Sequence, residues 1–158
     1  MPPEFDRHSA EFLRRLAQER NRSPHTVRAY GADLREFGAF LGREGGSVAG
    51  ISHLTLRKFL AELRGRGLSR TTIARRLAAV RSFLRFLNKE GVLPANPALA
   101  VRTPKRERRL PRVLSVEEVR ALLEGIAGTD AAALRDRAIL ELLYSTGMRV
   151  AEMAALNV

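Results

Sequence analysis

The 158-residue chain is 45% hydrophobic, which suits one ordinary domain or two small ones and argues against wholesale disorder. It has no cysteine, which excludes a disulfide scaffold, a thiolate metal site and a cysteine nucleophile, and no apolar run approaches the ~18 residues of a membrane span. The formal net charge of +11 favours a polyanionic partner, nucleic acid before an anionic membrane surface, because a basic surface attracts phosphates.

Two helices are predicted in the first third of the chain, which is rich in the strong helix formers Ala, Leu, Arg and Glu. The first covers about residues 4–20, where apolar side chains recur at helical spacing. The second starts after Ser23, because serine caps free amides at a helix start and Pro24 needs no hydrogen bond at the first helical position. The apolar stripe of the second helix consists of Val27, Tyr30, Leu34, Phe37 and Leu41.

Two further helices complete a predicted bundle. The third starts near Thr55 and ends at Gly65. The fourth is capped by Ser69 and ends before Gly91, a residue suited to the left-handed turn after a helix. Its apolar stripe consists of Ile73, Leu77, Val80, Leu84 and Leu87. Four amphipathic helices with short joints predict a compact all-α domain of roughly 95 residues.

A basic segment with four prolines follows the bundle, and 101–115 alone carries a net charge of +5. Proline interrupts helices and like charges repel one another, so the stretch from Leu93 to Ser115 is predicted to be an extended linker. We divide the chain into a helical domain over 1–103, a linker over 104–114 and a second unit over 115–158.

The second unit contains only about 45 residues, which is marginal for an independent fold, and is predicted to be the opening of a second domain. Ser115 and Glu118 have the spacing of a capping box, Asp130 suits the cap of a further helix, and Gly147 ends that helix before another begins. The apolar faces of these helices lack partners within the chain. The chain is therefore expected to be a fragment or a truncated product.

Four stretches between about residue 10 and residue 157 have the order and spacing of a known family: RNRSPHTVRAYGADLREFGAFL, LSRTTIARRLAAVRSFLRFLNKEG, NPALAVRTPKRERRLPRVLSVEEVRALL and LRDRAILELLYSTGMRVAEMAAL. Together they resemble the N-terminal half of a tyrosine recombinase, most closely a bacterial Xer-type one. The resemblance implies that 1–103 is a SAM-like, four-helix core-binding domain, which clamps double-stranded DNA together with a catalytic domain, and that 115–158 is the incomplete beginning of that catalytic domain. It also implies cleavage through a 3′-phosphotyrosyl link in a synaptic tetramer of this chain or a paralogue, with no metal or nucleotide cofactor and no small-molecule substrate.

The same resemblance assigns two residues to the catalytic site. Arg149 stands where the family's TG-x-R-x-x-E pattern has its first catalytic arginine, and Glu152 stands where a glutamate orients that arginine. The residue types suit these roles, because a planar guanidinium can hold two phosphate oxygens and a glutamate three residues on can fix it. Taken without the resemblance, the same residues also permit a surface ion pair that caps a core helix.

The chain has two tyrosines, and neither matches the family's nucleophile. Tyr30 lies on the apolar stripe of the second helix, and Tyr144 stands where the family has an aromatic packing residue, so both are predicted to be core. The chain is therefore expected to bind DNA without cleaving it.

The DNA-binding residues are predicted from the family's use of its second and fourth helices in the major groove. They comprise the starts of those helices and the basic cluster of the linker: Arg22, Ser23, His25, Thr26, Arg28, Ser69, Arg70, Thr71, Thr72, Arg75, Arg76, Lys105, Arg106, Arg108 and Arg109. Helix starts offer backbone amides to phosphates, and the linker charges add affinity without sequence choice. The residues alone also permit simple helix caps and solvated surface.

Two other functions stay open at this stage. One is a stand-alone, non-enzymatic DNA-binding regulator that uses the bundle to read sequence. The other is a ribosome- or RNA-associated basic protein. The N-terminal residues lack the apolar segment of a secretory signal, which together with a DNA partner predicts a cytoplasmic, nucleoid-associated protein.

Overall fold

The computed structural model describes residues 2–18, 23–103 and 113–156, and every regular element in these ranges is helical. The predicted all-α fold is therefore confirmed. The chain forms two compact units, Met1–Arg108 and Arg109–Val158. Among the described helices, none combines the length with the apolar composition needed to cross a bilayer.

The first unit is a four-helix bundle, as the four apolar stripes predict. Its helices are α1 (Pro3–Gln18), α2 (Pro24–Arg43), α3 (His53–Gly65) and α4 (Arg70–Lys89), and a 3₁₀ turn, Pro97–Ala100, follows. The starts of α2 and α4 lie where the serine caps predict them. α3 starts slightly earlier than predicted, because Ser52 and Thr55 each accept a hydrogen bond from the other's amide and cap the helix reciprocally.

Phenylalanine rings connect all four helices in the core of this bundle. The ring of Phe83 in α4 is fully buried, and its centroid lies 5.1 Å from that of Phe5 and 5.7 Å from that of Phe12, both in α1. Phe37 in α2 lies 5.9 Å from Phe5 and 5.0 Å from Phe59 in α3. Edge-to-face contacts of this kind add to the stabilisation from burial, so the aromatic cluster fixes the mutual arrangement of the helices.

The chain stays packed on the bundle after α4 and does not leave it as an extended linker. Leu93 and Val101 are buried against the core, so the predicted extended conformation is wrong for this stretch. The Arg81 guanidinium of α4 donates to the Val101 carbonyl and to the Thr103 hydroxyl. These contacts hold the exit segment, residues 93–103, against the bundle.

The second unit contains α5 (Val116–Glu124), α6 (Ala131–Thr146) and α7 (Val150–Met153). The capping box predicted for α5 and the aspartate cap predicted for α6 are both present. None of the described residues of this unit is buried, and 61% of Tyr144 is exposed. The prediction that Tyr144 is core is therefore wrong here, because no described element of the unit covers its face of α6. Tyr30 packs against the bundle core as predicted.

Candidate functional site

The start of α2 presents a row of polar side chains. The Ser23 hydroxyl accepts from the His25 amide (3.2 Å), and the Ser23 carbonyl accepts from the Thr26 amide (2.9 Å). The Arg28 guanidinium donates to Nδ1 of His25 across 2.8 Å, so these two side chains form one surface group. Ser23, His25 and Arg28 are exposed, whereas Thr26 is half-buried. The first turn of α2 is therefore capped and still open to a ligand.

The start of α4 has the same construction. The Ser69 hydroxyl accepts from the Thr72 amide (3.1 Å) and lies 2.9 Å from the Thr72 hydroxyl. Arg70 and Thr71 are exposed in this first turn. Both predicted serine caps are confirmed, and the assignment of these helix starts to DNA stays a prediction.

Arg75 and Arg76 of α4, two of the predicted DNA contacts, are directed towards α2. Nη1 of Arg75 donates to Oδ2 of Asp33, whose side chain is only 3% exposed. Nη1 of Arg76 lies 2.6 Å from Oε2 of Glu36, and only 16% of the Arg76 side chain is exposed. Because Arg75 is 46% exposed, it has room for a second partner, whereas Arg76 mainly joins the two helices.

Asp33 is the single buried charged residue in the part of the chain that the structure describes, and the sequence interpretation missed it. It lies three residues after Tyr30 and four before Phe37, a spacing that puts it on the apolar stripe of α2 and could have identified it. Burial raises the pKa of the Asp33 carboxyl, and the charge of Arg75 offsets part of that rise. A buried carboxylate needs such a partner, so Asp33 fixes the position of Arg75 on the bundle.

In the second unit, a glycine and a threonine shape the turn between α6 and α7. Gly147 adopts a left-handed conformation (φ 65°), and its amide donates to the Leu143 carbonyl. The Thr146 hydroxyl donates to the Leu142 carbonyl (2.5 Å) and accepts from the Met148 amide (3.3 Å). Thr146 therefore ties the end of α6 to the residue after the turn, a role that the sequence interpretation, centred on the glycine, did not include.

Arg149 and Glu152 meet directly after this turn, as their spacing predicts. One carboxylate oxygen of Glu152 accepts from the Arg149 amide (2.8 Å), and the other accepts from Nη1 of its guanidinium (2.8 Å). These hydrogen bonds, the backbone one foremost, hold the pKa of Glu152 below its ordinary value. The Arg149 side chain is 84% exposed, which leaves its other N–H groups accessible to an anion. Its assignment as a catalytic residue stays a prediction.

Replacing Gly147 with alanine should loosen the turn that presents Arg149. A left-handed conformation costs an L-residue about 1 kcal/mol, although no nearby atom would clash with the new methyl group. We expect faster hydrogen exchange at the Met148 and Arg149 amides in this variant. Gly65→Ala is the matched control, because Gly65 has open space and no positive φ, so those two amides should exchange as in the wild type. Unchanged exchange in Gly147→Ala would contradict the role given to the turn.

Five of the predicted DNA-binding residues lie outside the described residues: Arg22, Lys105, Arg106, Arg108 and Arg109. The two helix starts belong to the first unit, and Arg149 belongs to the second. Within the described ranges, no group of three or more His, Asp or Glu side chains is placed to hold a metal ion.

Comparison with known proteins assigns both units to one family. Residues 10–91 match "Phage integrase, N-terminal SAM-like domain", and residues 112–158 match "Phage integrase family". The chain is 46% identical over 150 residues to the tyrosine recombinase XerC of Pelobacter propionicus, with 93% of this chain and 49% of that protein covered. Its identity to XerC of Roseiflexus castenholzii is 44% over 149 residues, which cover 93% of this chain and 48% of that protein. Its identity to XerC of Mycobacterium tuberculosis is 43% over 152 residues, which cover 94% of this chain and 51% of that protein. The chain spans about half the length of the curated relatives it matches.

Proposed function

We propose that this chain, which belongs to the phage integrase family of tyrosine recombinases, binds duplex DNA through the starts of α2 and α4. The observation that carries the proposal is the pair of capped, exposed helix starts in a unit that matches the family's N-terminal SAM-like domain. Such starts suit phosphates, because exposed hydroxyls and arginines donate hydrogen bonds there and the helix dipole adds positive potential. The charge supports the same partner, since residues 1–100 hold 18 basic and nine acidic side chains.

In the second unit, the proposed role of Arg149 is to bind the scissile phosphate. Its guanidinium is exposed and is held at one nitrogen by Glu152. The remaining N–H donors can form two parallel hydrogen bonds with non-bridging phosphate oxygens and stabilise the negative charge that develops on them. Glu152 acts here as a positioning residue, because it accepts from both the backbone and the side chain of Arg149.

The 158 residues are proposed to bind DNA without cleaving it. Neither tyrosine stands where the family resemblance has the nucleophile, since Tyr30 packs against the bundle core and Tyr144 lies on α6 before the turn. A duplex with a nick near the target site traps phosphotyrosyl intermediates of such enzymes. Incubation of the chain with a duplex of this kind should give no covalent product. A covalent adduct at either tyrosine would contradict this part of the proposal. In a longer protein that contains this chain, strand cleavage and rejoining within a tetramer of copies or related recombinases is the corresponding proposal.

Binding of duplex DNA should weaken steeply with salt, because each neutralised phosphate releases condensed counterions. Replacing Arg28 and Arg70 with glutamine should weaken binding and reduce the log–log salt slope by about 2, at roughly 0.9 for each lost phosphate contact. Replacing Arg7 and Arg14 of α1 with glutamine removes the same charge outside the proposed interface and should leave the slope nearly unchanged. Fluorescence anisotropy of a labelled duplex across salt concentrations measures both variants. Absence of binding at low salt, equal losses in the two variants, or a preference for structured RNA would contradict the proposal.

A further inference from the structure

A basic cleft of about 370 Å³ lies between α3 and the exit segment, on residues that the DNA-binding proposal does not use. His53, Arg57 and Arg64 line one side, at positions that follow one another along a single face of α3. Arg102 of the exit segment lines the other side. Three arginines and one histidine, from two parts of the first unit, therefore line the cleft.

The arginines of this cleft have no anionic partner in residues 2–18, 23–103 and 113–156. Among the residues of those ranges no carboxylate lines the cleft, and Arg57, Arg64 and Arg102 form no ion pair or side-chain hydrogen bond there. By contrast, the nearby Arg43 is paired with Glu62 across 2.7 Å. Convergent like charges without a counter-charge repel one another, and a bound anion would remove that repulsion.

Packing beneath the cleft holds its shape. Leu60 and Val101, which are 4% and 7% exposed, also line it and belong to the bundle core. The Val101 carbonyl accepts from Arg81, which anchors the residue next to Arg102. The backbone on both sides of the cleft is therefore fixed before a ligand arrives, and this lowers the cost of ordering the donors around it.

We propose that this cleft binds a phosphate group. A guanidinium presents two parallel N–H donors to a phosphate, and three guanidinium groups from two sides can surround its oxygens. The phosphate can come from the backbone of a bound duplex, since the sequence 101–115, which includes Arg102, carries a net charge of +5, or from a free polyphosphate. The proposal does not depend on the DNA-binding role of α2 and α4, because a free polyphosphate tests the cleft without DNA.

Isothermal titration of the full chain with inorganic tripolyphosphate at low salt tests the cleft. Replacing Arg57 and Arg64 with glutamine should weaken binding about tenfold or more, because charge-assisted hydrogen bonds to the anion are lost. Replacing Arg7 and Arg14 with glutamine is the matched control, since it removes equal charge outside the cleft and should leave binding nearly unchanged. All four side chains are exposed, so thermal unfolding should show both variants folded.

A parallel titration with duplex DNA identifies the source of the phosphate. A reduction of the salt slope by about 1 in the Arg57 and Arg64 variant, as expected for one lost phosphate contact and absent from the control, would identify the DNA backbone. Loss of tripolyphosphate binding alone would identify a free polyphosphate. Equal weakening of tripolyphosphate binding in both double variants would overturn the proposal, and so would tighter binding of a glutamate-rich peptide than of tripolyphosphate.

Discussion

Replacing Phe83 with alanine should lower the free energy of unfolding of the bundle by about 3–5 kcal/mol. The ring is fully buried and lies against Phe5, Phe12 and Phe86. Its removal loses the free energy of burying the ring and leaves a cavity that the packed helices cannot close. Urea unfolding followed by far-ultraviolet circular dichroism measures the change.

Phe86→Ala is the matched control, since it makes the same substitution on the same helix at a ring that is only partly buried. Its cost should be clearly smaller, because part of that ring already contacts water in the folded state. Comparable losses in the two variants would contradict the central position assigned to Phe83.

Replacing Asp33 with alanine should destabilise the bundle by about 2–4 kcal/mol at neutral pH. The substitution removes one of the two carboxylates near the Arg76 guanidinium, and that side chain is too little exposed for water to replace it. The same change frees Arg75 from its position on the bundle surface. Asp33→Asn should cost less, since it keeps the shape of the side chain and one acceptor oxygen. Chemical denaturation of wild type, Asp33→Ala and Asp33→Asn measures their free energies of unfolding. A free energy of unfolding for Asp33→Ala equal to that of wild type would refute the structural role of the carboxylate.

The pH dependence of stability should separate the same variants. Burial raises the folded-state pKa of Asp33 above the unfolded value of about 4. The stability that this group contributes by titrating is therefore fully present below the unfolded pKa and is lost as the pH rises through the folded pKa. Wild type should lose stability relative to Asp33→Asn across that window, measured by denaturation at a series of pH values. If wild type instead gained stability relative to Asp33→Asn as the pH rises through this window, the arginines would lower the pKa of Asp33 by more than burial raises it.

Local rules accounted for the parts of the fold that depend on neighbouring residues. Ser23 and Ser69 predict the starts of α2 and α4, because a helix cap needs only a hydroxyl that accepts from a backbone amide two or three residues later. The pairing of Arg149 with Glu152 follows from their spacing in the same way. Gly147 is predictable as the end of α6, because glycine readily takes the left-handed conformation that it adopts there.

The features that the sequence did not predict depend on contacts between distant residues. The burial of the Asp33 carboxylate is explained by Arg75 and Arg76, more than forty residues later in the chain. The exit segment is packed because Val101 and Leu93 reach the core, and the prolines around them suggested an extended chain. Tyr144 has the character of a core residue, but burial depends on a covering element and not on the residue itself.

The most direct measurement is a map of backbone amide shifts in the labelled chain when a short duplex is added at low salt. We expect the largest changes in the first turns of α2 and α4, around Ser23 to Arg28 and Ser69 to Thr72, with loss of these changes as salt is raised. No binding at low salt, or changes that avoid both helix starts, would contradict the assignment of this surface to DNA.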